Sequence, residues 1–221
     1  MNYTVVPSLP AKDFTEITTL ATALRGVVSE LQIDIVDGQF VPPLAWPFTE
    51  PAPLDAFSKL ALVARDFSIE MDCMVARPEQ YLDVFVTLGV KRVVIHMGST
   101  EAYENIFAHA NAHNYTVGFA LMNDRPLQEL ELYMDKISFV QLMGIKEIGQ
   151  QGQPFDERTL KRAHELHVQY PTLEIAVDGS VNKDTIARLK QAGVNRFLPG
   201  SAVAKQADPA TAYRELVALI N

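Results

Sequence analysis

Gln32-Ile33-Asp34-Ile35-Val36-Asp37-Gly38 says most about the fold, because an apolar run ends there in carboxylates and a glycine. Three later segments also end an apolar run and open onto a helix-like stretch: Glu70-Met71-Asp72-Cys73-Met74, Val177-Asp178-Gly179-Ser180 and Pro199-Gly200-Ser201-Ala202. The carboxyl ends of parallel strands converge at one end of a barrel, where the following loops build a site. The four segments therefore predict a site for a small, phosphorylated ligand at that end.

Short apolar runs alternate with stretches of helical period along the whole chain. The predicted strands are 3–6, 31–36, 67–75, 92–96, 116–121, 138–143, 172–177 and 196–198. Helices are predicted near 14–29, 52–65, 78–88, 101–113, 126–135, 156–169, 182–192 and 208–220. Eight such units predict an α/β fold, a single (β/α)8 TIM barrel domain over residues 1–221 with its helices outside. A doubly wound sheet would use fewer strands and leave part of the chain over.

The composition limits the class of partner. The chain has 221 residues, 48% of them hydrophobic, and a net charge of -8 from 19 Lys and Arg against 27 Asp and Glu. This acidic balance argues against nucleic acid or an anionic membrane as a partner. The single cysteine, Cys73, excludes an intrachain disulfide and suits a reducing compartment. No apolar stretch approaches the roughly 18 residues that cross a bilayer, so we expect a cytoplasmic protein.

Three aspartates stand where chemistry is expected. Asp34, Asp72 and Asp178 lie within or at the ends of predicted strands, where an ionised carboxylate is costly unless it is paired, metal-bound or facing a polar cavity. One alone could be structural, but three at matching strand ends indicate function. Two carboxylates on opposite sides of a sugar carbon can serve as base and acid. Asp37 is expected to cap backbone amides instead, and His96 is expected to be a core residue.

Glycines and methionines complete the predicted site. Gly179-Ser180 and Gly200-Ser201 follow the last two strands, where such barrels bind phosphate, although both could be plain βα turns. Residues 144–153 hold three glycines and could form a lid over a ligand or a surface loop. Met74 and Met143 end strands three and six and could either line the bottom of the site or fill the core.

Segments along almost the whole chain resemble the ribulose-phosphate 3-epimerase family. The most specific is Asp34-Ile35-Val36-Asp37-Gly38-Gln39-Phe40-Val41-Pro42, which is similar to the family's Asp-x-Met-Asp-Gly-x-Phe-Val-Pro. Pro7-Ser8-Leu9 resembles its opening Pro-Ser loop, and Arg77-Pro78-Glu79-Gln80-Tyr81 its Asn-Pro-Glu-x-Tyr helix start. Later segments keep the family's order: 118–121, 126–127, 149–155, 177–179 and 200–202.

The resemblance implies a barrel enzyme that binds a pentulose 5-phosphate and inverts its carbon 3 through an enediolate. Asp34 and Asp178 would be the acid and base, and the protein would be a homo-oligomer. The implied substrate-binding residues are Ser8, Met74, Met143, Gly149, Gly152, Gly179, Ser180, Gly200 and Ser201.

The resemblance also implies a divalent metal, which the family holds with two histidines and two aspartates. The histidine positions are Gln32 and Asp72 here, so the implied ligands are Gln32, Asp34, Asp72 and Asp178. Such an all-oxygen set suits Mg²⁺ or Mn²⁺ better than Zn²⁺. Without a metal, the clustered carboxylates would repel, and at least one should keep its proton near neutral pH.

Three functions remain open from the sequence. The first is a sugar-phosphate epimerase with an altered metal site, and the second is a diverged phosphosugar-binding barrel without epimerase activity. The third is decarboxylation, as in relatives of orotidine phosphate decarboxylase. It is disfavoured because Met74 stands where that chemistry needs a lysine.

Overall fold

The chain folds around one curled sheet of parallel strands, in a computed structural model that describes residues 3–150 and 152–221. The strands over these residues are β1 (Thr4–Val5), β2 (Ser8–Leu9), β3 (Glu30–Val36), β4 (Ser68–Met74), β5 (Arg92–His96), β6 (Thr116–Leu121), β7 (Phe139–Met143), β8 (Glu174–Asp178) and β9 (Arg196–Leu198). From β2 to β9 each strand pairs with the next in sequence. The predicted TIM barrel is confirmed.

The first barrel strand is in two pieces, which together join the edges of the sheet. β1 pairs with β9, and β2 pairs with β3. Between them stands Pro7, which has no N–H to donate, but its carbonyl oxygen accepts a 3.0 Å hydrogen bond from Gln32 N. Ser8 N in turn donates to Pro199 O over 3.1 Å. Ser8 is thereby fixed between the second and last strands of the barrel.

Helices connect the strands. The α-helices in the described part of the chain are α1 (Phe14–Leu24), α2 (Pro53–Ala56), α3 (Leu82–Thr87), α4 (Tyr103–His113), α5 (Arg158–Gln169), α6 (Ile186–Gln191), α7 (Ser201–Ala204) and α8 (Pro209–Ala218). Shorter 3-10 helices cover Phe57–Leu62, Pro78–Tyr81 and Leu127–Tyr133. Within the described ranges, no helix has the length and apolar character needed to span a membrane.

Side-chain caps fix two of the helix starts. Asp13 accepts a hydrogen bond from Glu16 N at the start of α1, and Asp208 accepts one from Thr211 N at the start of α8, each over 3.1 Å. Both carboxylates satisfy an amide that has no partner within the helix. Pro209 occupies the first turn of α8, where its missing N–H costs nothing.

The barrel interior is layered. Its amino-terminal end holds ion pairs, in which Arg196 contacts Glu30 and Glu70 at 2.7 and 3.1 Å, and Arg92 also pairs with Glu70. Above them an apolar cluster of buried residues contains Val36, Ala45, Met74, Val94, Ala120, Phe139, Met143 and Ile148. A chain of hydrogen-bonded, buried polar side chains also crosses the interior. The outer faces of the strands pack against the helices in a separate, larger apolar core.

Candidate active site

A cavity of about 670 Å³ opens at the carboxyl ends of the strands. The predicted site residues that line it are Ser8, Asp34, Met74, Gly149, Gly152, Asp178, Gly179, Ser180, Gly200 and Ser201. Gln32, Asp72 and Met143 lie deeper in the barrel and do not line this cavity. Met143 instead packs in the apolar cluster that also contains Met74.

The two predicted catalytic carboxylates both line this cavity, Asp34 from β3 and Asp178 from β8. Asp178 ends β8, and its Oδ1 accepts a hydrogen bond of 3.1 Å from Ser8 Oγ. Burial, then the charges of Asp178 and Asp72, raise the pKa of Asp34 well above its usual range. Burial and the charge of Asp72 likewise raise the pKa of Asp178 to about 7. Both side chains can therefore exist as carboxylic acids near neutral pH.

A chain of buried polar side chains crosses the barrel below the cavity. Gln32 Nε2 donates to Glu70 Oε1 over 2.8 Å and to Gln141 Oε1 over 3.0 Å. Gln141 Nε2 donates to Asp72 Oδ2 over 2.9 Å, and His96 Nε2 lies 2.8 Å from Asp72 Oδ1. All five side chains are at most 1% exposed. His96 is confirmed as a buried core residue, and it belongs to this polar chain.

The implied metal ligands are only partly brought together. Both oxygens of Asp72 have protein partners, His96 and Gln141. Among residues 3–150 and 152–221, no three His, Cys, Asp or Glu side chains are placed to hold a metal ion. Two buried oxygens, Gln32 Oε1 and Asp34 Oδ1, have no hydrogen-bond partner among the same residues. The arrangement thus differs from the four-ligand set, and preference for Mg²⁺ or Mn²⁺ stays a prediction.

The two Gly-Ser pairs face the same cavity. Gly179 has a φ of +95°, and a Cβ there would lie 2.8 Å from Ile145, so the turn after β8 suits glycine. Ser180 Oγ donates to the carbonyl oxygen of Gln153. Gly200 accepts hydrogen bonds from two amides of α7, which starts at Ser201. Both turns therefore line the same cavity.

The glycine-containing segment after β7 reaches across to the long loop after β3. A Cβ on Gly149 would lie 3.2 Å from Pro43 Cδ, so these loops touch. Glu147 N donates to Gln153 Oε1 over 3.1 Å and Gln153 Nε2 donates back to Glu147 O, which ties the segment to itself. Residue 151 lies outside the described residues. Residues of this segment line the cavity, and its action as a lid stays a prediction.

Two cavity lysines were not predicted from the sequence. Lys183 and Lys205 both line the cavity close to the Gly-Ser pairs. Lys183 pairs with Glu215 over 2.6 Å, whereas Lys205 forms no ion pair within the described part of the chain. Lys205 directly follows α7, a helix too short to show in the sequence pattern. Because the sequence does not reveal this helix, it does not reveal that Lys205 reaches the cavity.

Comparisons with known proteins identify the family of the chain. The sequence model of the ribulose-phosphate 3 epimerase family matches residues 4–204. A protein named ribulose-phosphate 3-epimerase from Schizosaccharomyces pombe is 30% identical over 201 residues, covering 90% of this chain and 86% of the relative. One of the same name from Bacillus subtilis is 26% identical over 218 residues, covering 96% and 97%.

Solved structures agree on the fold. A 3-hexulose-6-phosphate synthase aligns over 100% of both chains with a TM-score of 0.71 and 22% identity. A crystal structure of KGPDC from Streptococcus mutans aligns over 98% of this chain and 96% of its own, with a TM-score of 0.74 and 15% identity. At these identities the two structures support the barrel alone. Through the match over residues 4–204, the chain belongs to the ribulose-phosphate 3-epimerase family.

Proposed function

We propose that this protein is a sugar-phosphate epimerase that inverts the carbon next to the carbonyl of a ketose phosphate, with ribulose 5-phosphate as its substrate. The observation that carries the proposal is that Asp34 and Asp178 line one cavity together with both Gly-Ser pairs. The names of the aligned relatives support the choice of substrate.

The chemistry needs one base and one acid on opposite faces of the substrate carbon. One carboxylate removes the proton from carbon 3, and the electron pair of that C–H bond moves toward the carbonyl group to give an enediolate. The other residue, as a carboxylic acid, delivers its proton to the opposite face of carbon 3. Solvent then exchanges protons with the pair and restores the starting state. The raised pKa values of Asp34 and Asp178 suit a pair that holds one proton between them.

The remaining cavity residues bind and orient the substrate. Ser8 holds Asp178 through its hydroxyl group. The phosphate group would lie on the backbone amides of Gly179-Ser180 and Gly200-Ser201, since such amides are good anion ligands. A divalent cation bound beside the carboxylates would supply positive charge where negative charge develops on the substrate.

A phosphosugar-binding barrel without epimerase activity is the second candidate. It is favoured by the loss of both imidazoles, Gln32 and Asp72 standing in their places, and by the engagement of Asp72 with His96 and Gln141. Such a protein would keep the phosphate contacts and bind ribulose 5-phosphate without moving its protons.

Solvent deuterium exchange separates the two functions. In D₂O, the epimerase introduces deuterium at the carbon next to the carbonyl of ribulose 5-phosphate, detected by NMR, with and without added Mg²⁺ or Mn²⁺. Asp34→Asn and Asp178→Asn should each slow exchange by about 100-fold or more. Asp184→Asn is the matched control, because this exposed aspartate lines the outer part of the same cavity. Binding without exchange, across a panel of pentulose and hexulose phosphates, would establish the second candidate instead.

We also infer a cytoplasmic, homo-oligomeric protein. An aligned relative from Oryza sativa, 26% identical over 211 residues, is named a cytoplasmic isoform of ribulose-phosphate 3-epimerase, which supports the location. Light scattering after size-exclusion chromatography tests the assembly, and a monomer mass would refute that part.

A further inference from the structure

We propose that Lys12 and Lys205 bind a second anionic group, so that the site accepts a ketose bisphosphate and binds it more tightly than ribulose 5-phosphate. One phosphate group would lie on the two Gly-Ser pairs, and the other would lie at the two lysines in a neighbouring cavity. The inference rests on the proposed function for the orientation of the sugar, and it adds a class of substrate.

A second cavity, of about 750 Å³, adjoins the proposed active site. It lies between α1, the loop after β3 and the segment that joins α7 to α8. The two cavities share five lining residues, Pro10, Gly149, Gln150, Lys205 and Gln206. Its volume is in the range of small-molecule sites, about 300–1,000 Å³. A ligand that extends past the shared residues from the first cavity enters the second.

The second cavity is lined by two lysines and two carboxylates, and only the carboxylates are engaged. Across the residues that the structure describes, neither Lys12 nor Lys205 forms an ion pair. Asp13 accepts a hydrogen bond from Glu16 N over 3.1 Å, and Glu16 Oε2 accepts one from Lys12 N over 2.8 Å. Both carboxylates therefore satisfy backbone amides at the start of α1. The two ammonium groups are left to meet an anion.

The orientation of the sugar in the proposed function directs its other end toward this cavity. Carbon 3 would lie between Asp34 of β3 and Asp178 of β8, with the 5-phosphate on the turns after β8 and β9. Carbon 1 then points to the β3 side. Gly149 lies on that side, since its Cβ would be 3.2 Å from Pro43 Cδ and 3.5 Å from Val36 Cγ1. Gly149 and Pro43 both line the second cavity, so a phosphate on carbon 1 would enter it.

The charge and the chemistry together select the class of ligand. A ketose 1,5-bisphosphate keeps the carbonyl group at carbon 2 and the hydrogen atom at carbon 3, so the same acid and base chemistry applies to it. Its 1-phosphate is an anion that Lys12 and Lys205 can bind, because lysine ammonium groups make strong, charge-assisted hydrogen bonds to phosphate oxygens. The neutral hydroxyl group at carbon 1 of ribulose 5-phosphate offers the lysines no such partner.

Three lysines distinguish the two cavities. Lys183 lines only the first, Lys12 lines only the second, and Lys205 lines both. Lys12 is exposed, and glutamine there removes the charge while it keeps a polar side chain of similar length. The Lys12→Gln variant therefore tests the second cavity without changing the first. Lys91→Gln is the matched control, because this exposed lysine precedes β5 and lines neither cavity.

The test compares two ligands by calorimetry in one buffer, ribulose 5-phosphate and ribulose 1,5-bisphosphate. The wild-type chain should bind the bisphosphate about tenfold or more tightly than the monophosphate. Lys12→Gln should reduce this preference to within about threefold and leave the affinity for ribulose 5-phosphate unchanged. Lys205→Gln should weaken the binding of both ligands, and Lys91→Gln should change neither. Thermal unfolding of each variant confirms that it is folded before titration.

Three results would overturn the inference. The first is wild-type protein that binds the bisphosphate no more tightly than the monophosphate, and the second is a Lys12→Gln variant that keeps the full preference. The third is an equal loss of preference in Lys91→Gln, which would indicate a general effect of charge. Deuterium exchange into ribulose 5-phosphate without a bisphosphate preference would refute only this inference. A preference that depends on Lys12, without exchange on any tested sugar phosphate, would refute only the proposed epimerase.

Discussion

Replacing Asp37 should destabilise the protein by several kcal/mol, because its carboxylate joins two loops beside the cavity. Oδ1 accepts from Gln39 N and Phe40 N over 2.8 and 3.0 Å, and Oδ2 accepts from Ala76 N over 2.9 Å. A hydrogen bond to a charged group contributes about 1.5–3 kcal/mol, which would give about 4.5–9 for three. Gln39 is exposed and Phe40 and Ala76 are partly so, hence water replaces part of this, and Asp37→Ala should cost about 3–5 kcal/mol.

The Asp37→Asn variant distinguishes the contributions of the two carboxylate oxygens to stability. The amide oxygen can keep the two bonds of Oδ1, while its nitrogen meets the Ala76 N–H, which is also a donor. We expect a loss of about 1.5–3 kcal/mol, measured by equilibrium urea unfolding. Asp13→Ala is the control, since it removes a single exposed cap bond worth about 1 kcal/mol. The reasoning fails if Asp37→Ala costs no more than this control, or if the asparagine costs as much as the alanine.

Three further changes follow from the structure. Arg196→Met should lower stability by about 3–5 kcal/mol in thermal or urea unfolding, because it removes one of the cations that compensate the fully buried Glu70; an unchanged unfolding midpoint would contradict this. Gly118→Ala should also destabilise by about 1–3 kcal/mol, because its Cβ would lie 2.2 Å from a ring carbon of the β7 phenylalanine; a matching urea midpoint would refute the clash. Lys205→Gln should weaken inorganic phosphate binding by about tenfold in calorimetry, whereas Lys183→Gln, whose lysine is paired with Glu215, should change it less; equal losses would argue against a phosphate contact by Lys205.

The strands were predictable because each carries its own local pattern. Runs such as 92–96 and 116–121 have the bounds that the sequence predicts, since most of their residues are β-branched or apolar. The split of the first strand into β1 and β2 was not predicted. It depends on Pro7, whose missing N–H interrupts the ladder while the strands on both sides hold the chain in place.

The helices were predicted less well where they are short. The predicted helix near 126–135 is a 3-10 helix over Leu127–Tyr133, and α7 over Ser201–Ala204 was not predicted. Helical period needs about two or more turns before it stands out in a sequence. A four-residue helix is fixed instead by its position between β9 and α8, which the sequence does not display locally.

The cavity residues could be predicted from the order of the strands, whereas the chain of buried polar side chains could not. Asp34 and Asp178 were predicted because side chains at the carboxyl ends of parallel strands converge. Asp34 and Asp72 are register partners on β3 and β4, yet only Asp34 lines the cavity. The difference arises from His96 and Gln141, which lie 24 and 69 residues from Asp72 along the chain. Contacts this distant leave no local trace in a single sequence.

Gln32 and Asp72 depend on each other through Gln141. Asp72 gives the Gln141 nitrogen an acceptor, and this turns the Gln141 oxygen toward Gln32. A side chain at position 32 must then donate to that oxygen and to Glu70, which an amide nitrogen does with its two hydrogens. Glutamine at position 32 without Asp72, or Asp72 without glutamine, would leave a buried polar group unsatisfied at a cost of about 1–3 kcal/mol. Among the residues that the structure describes, the Gln32 oxygen has no hydrogen-bond partner. A change at position 32 or position 72 alone would therefore disturb this buried chain, so the two residues are coupled in the barrel interior.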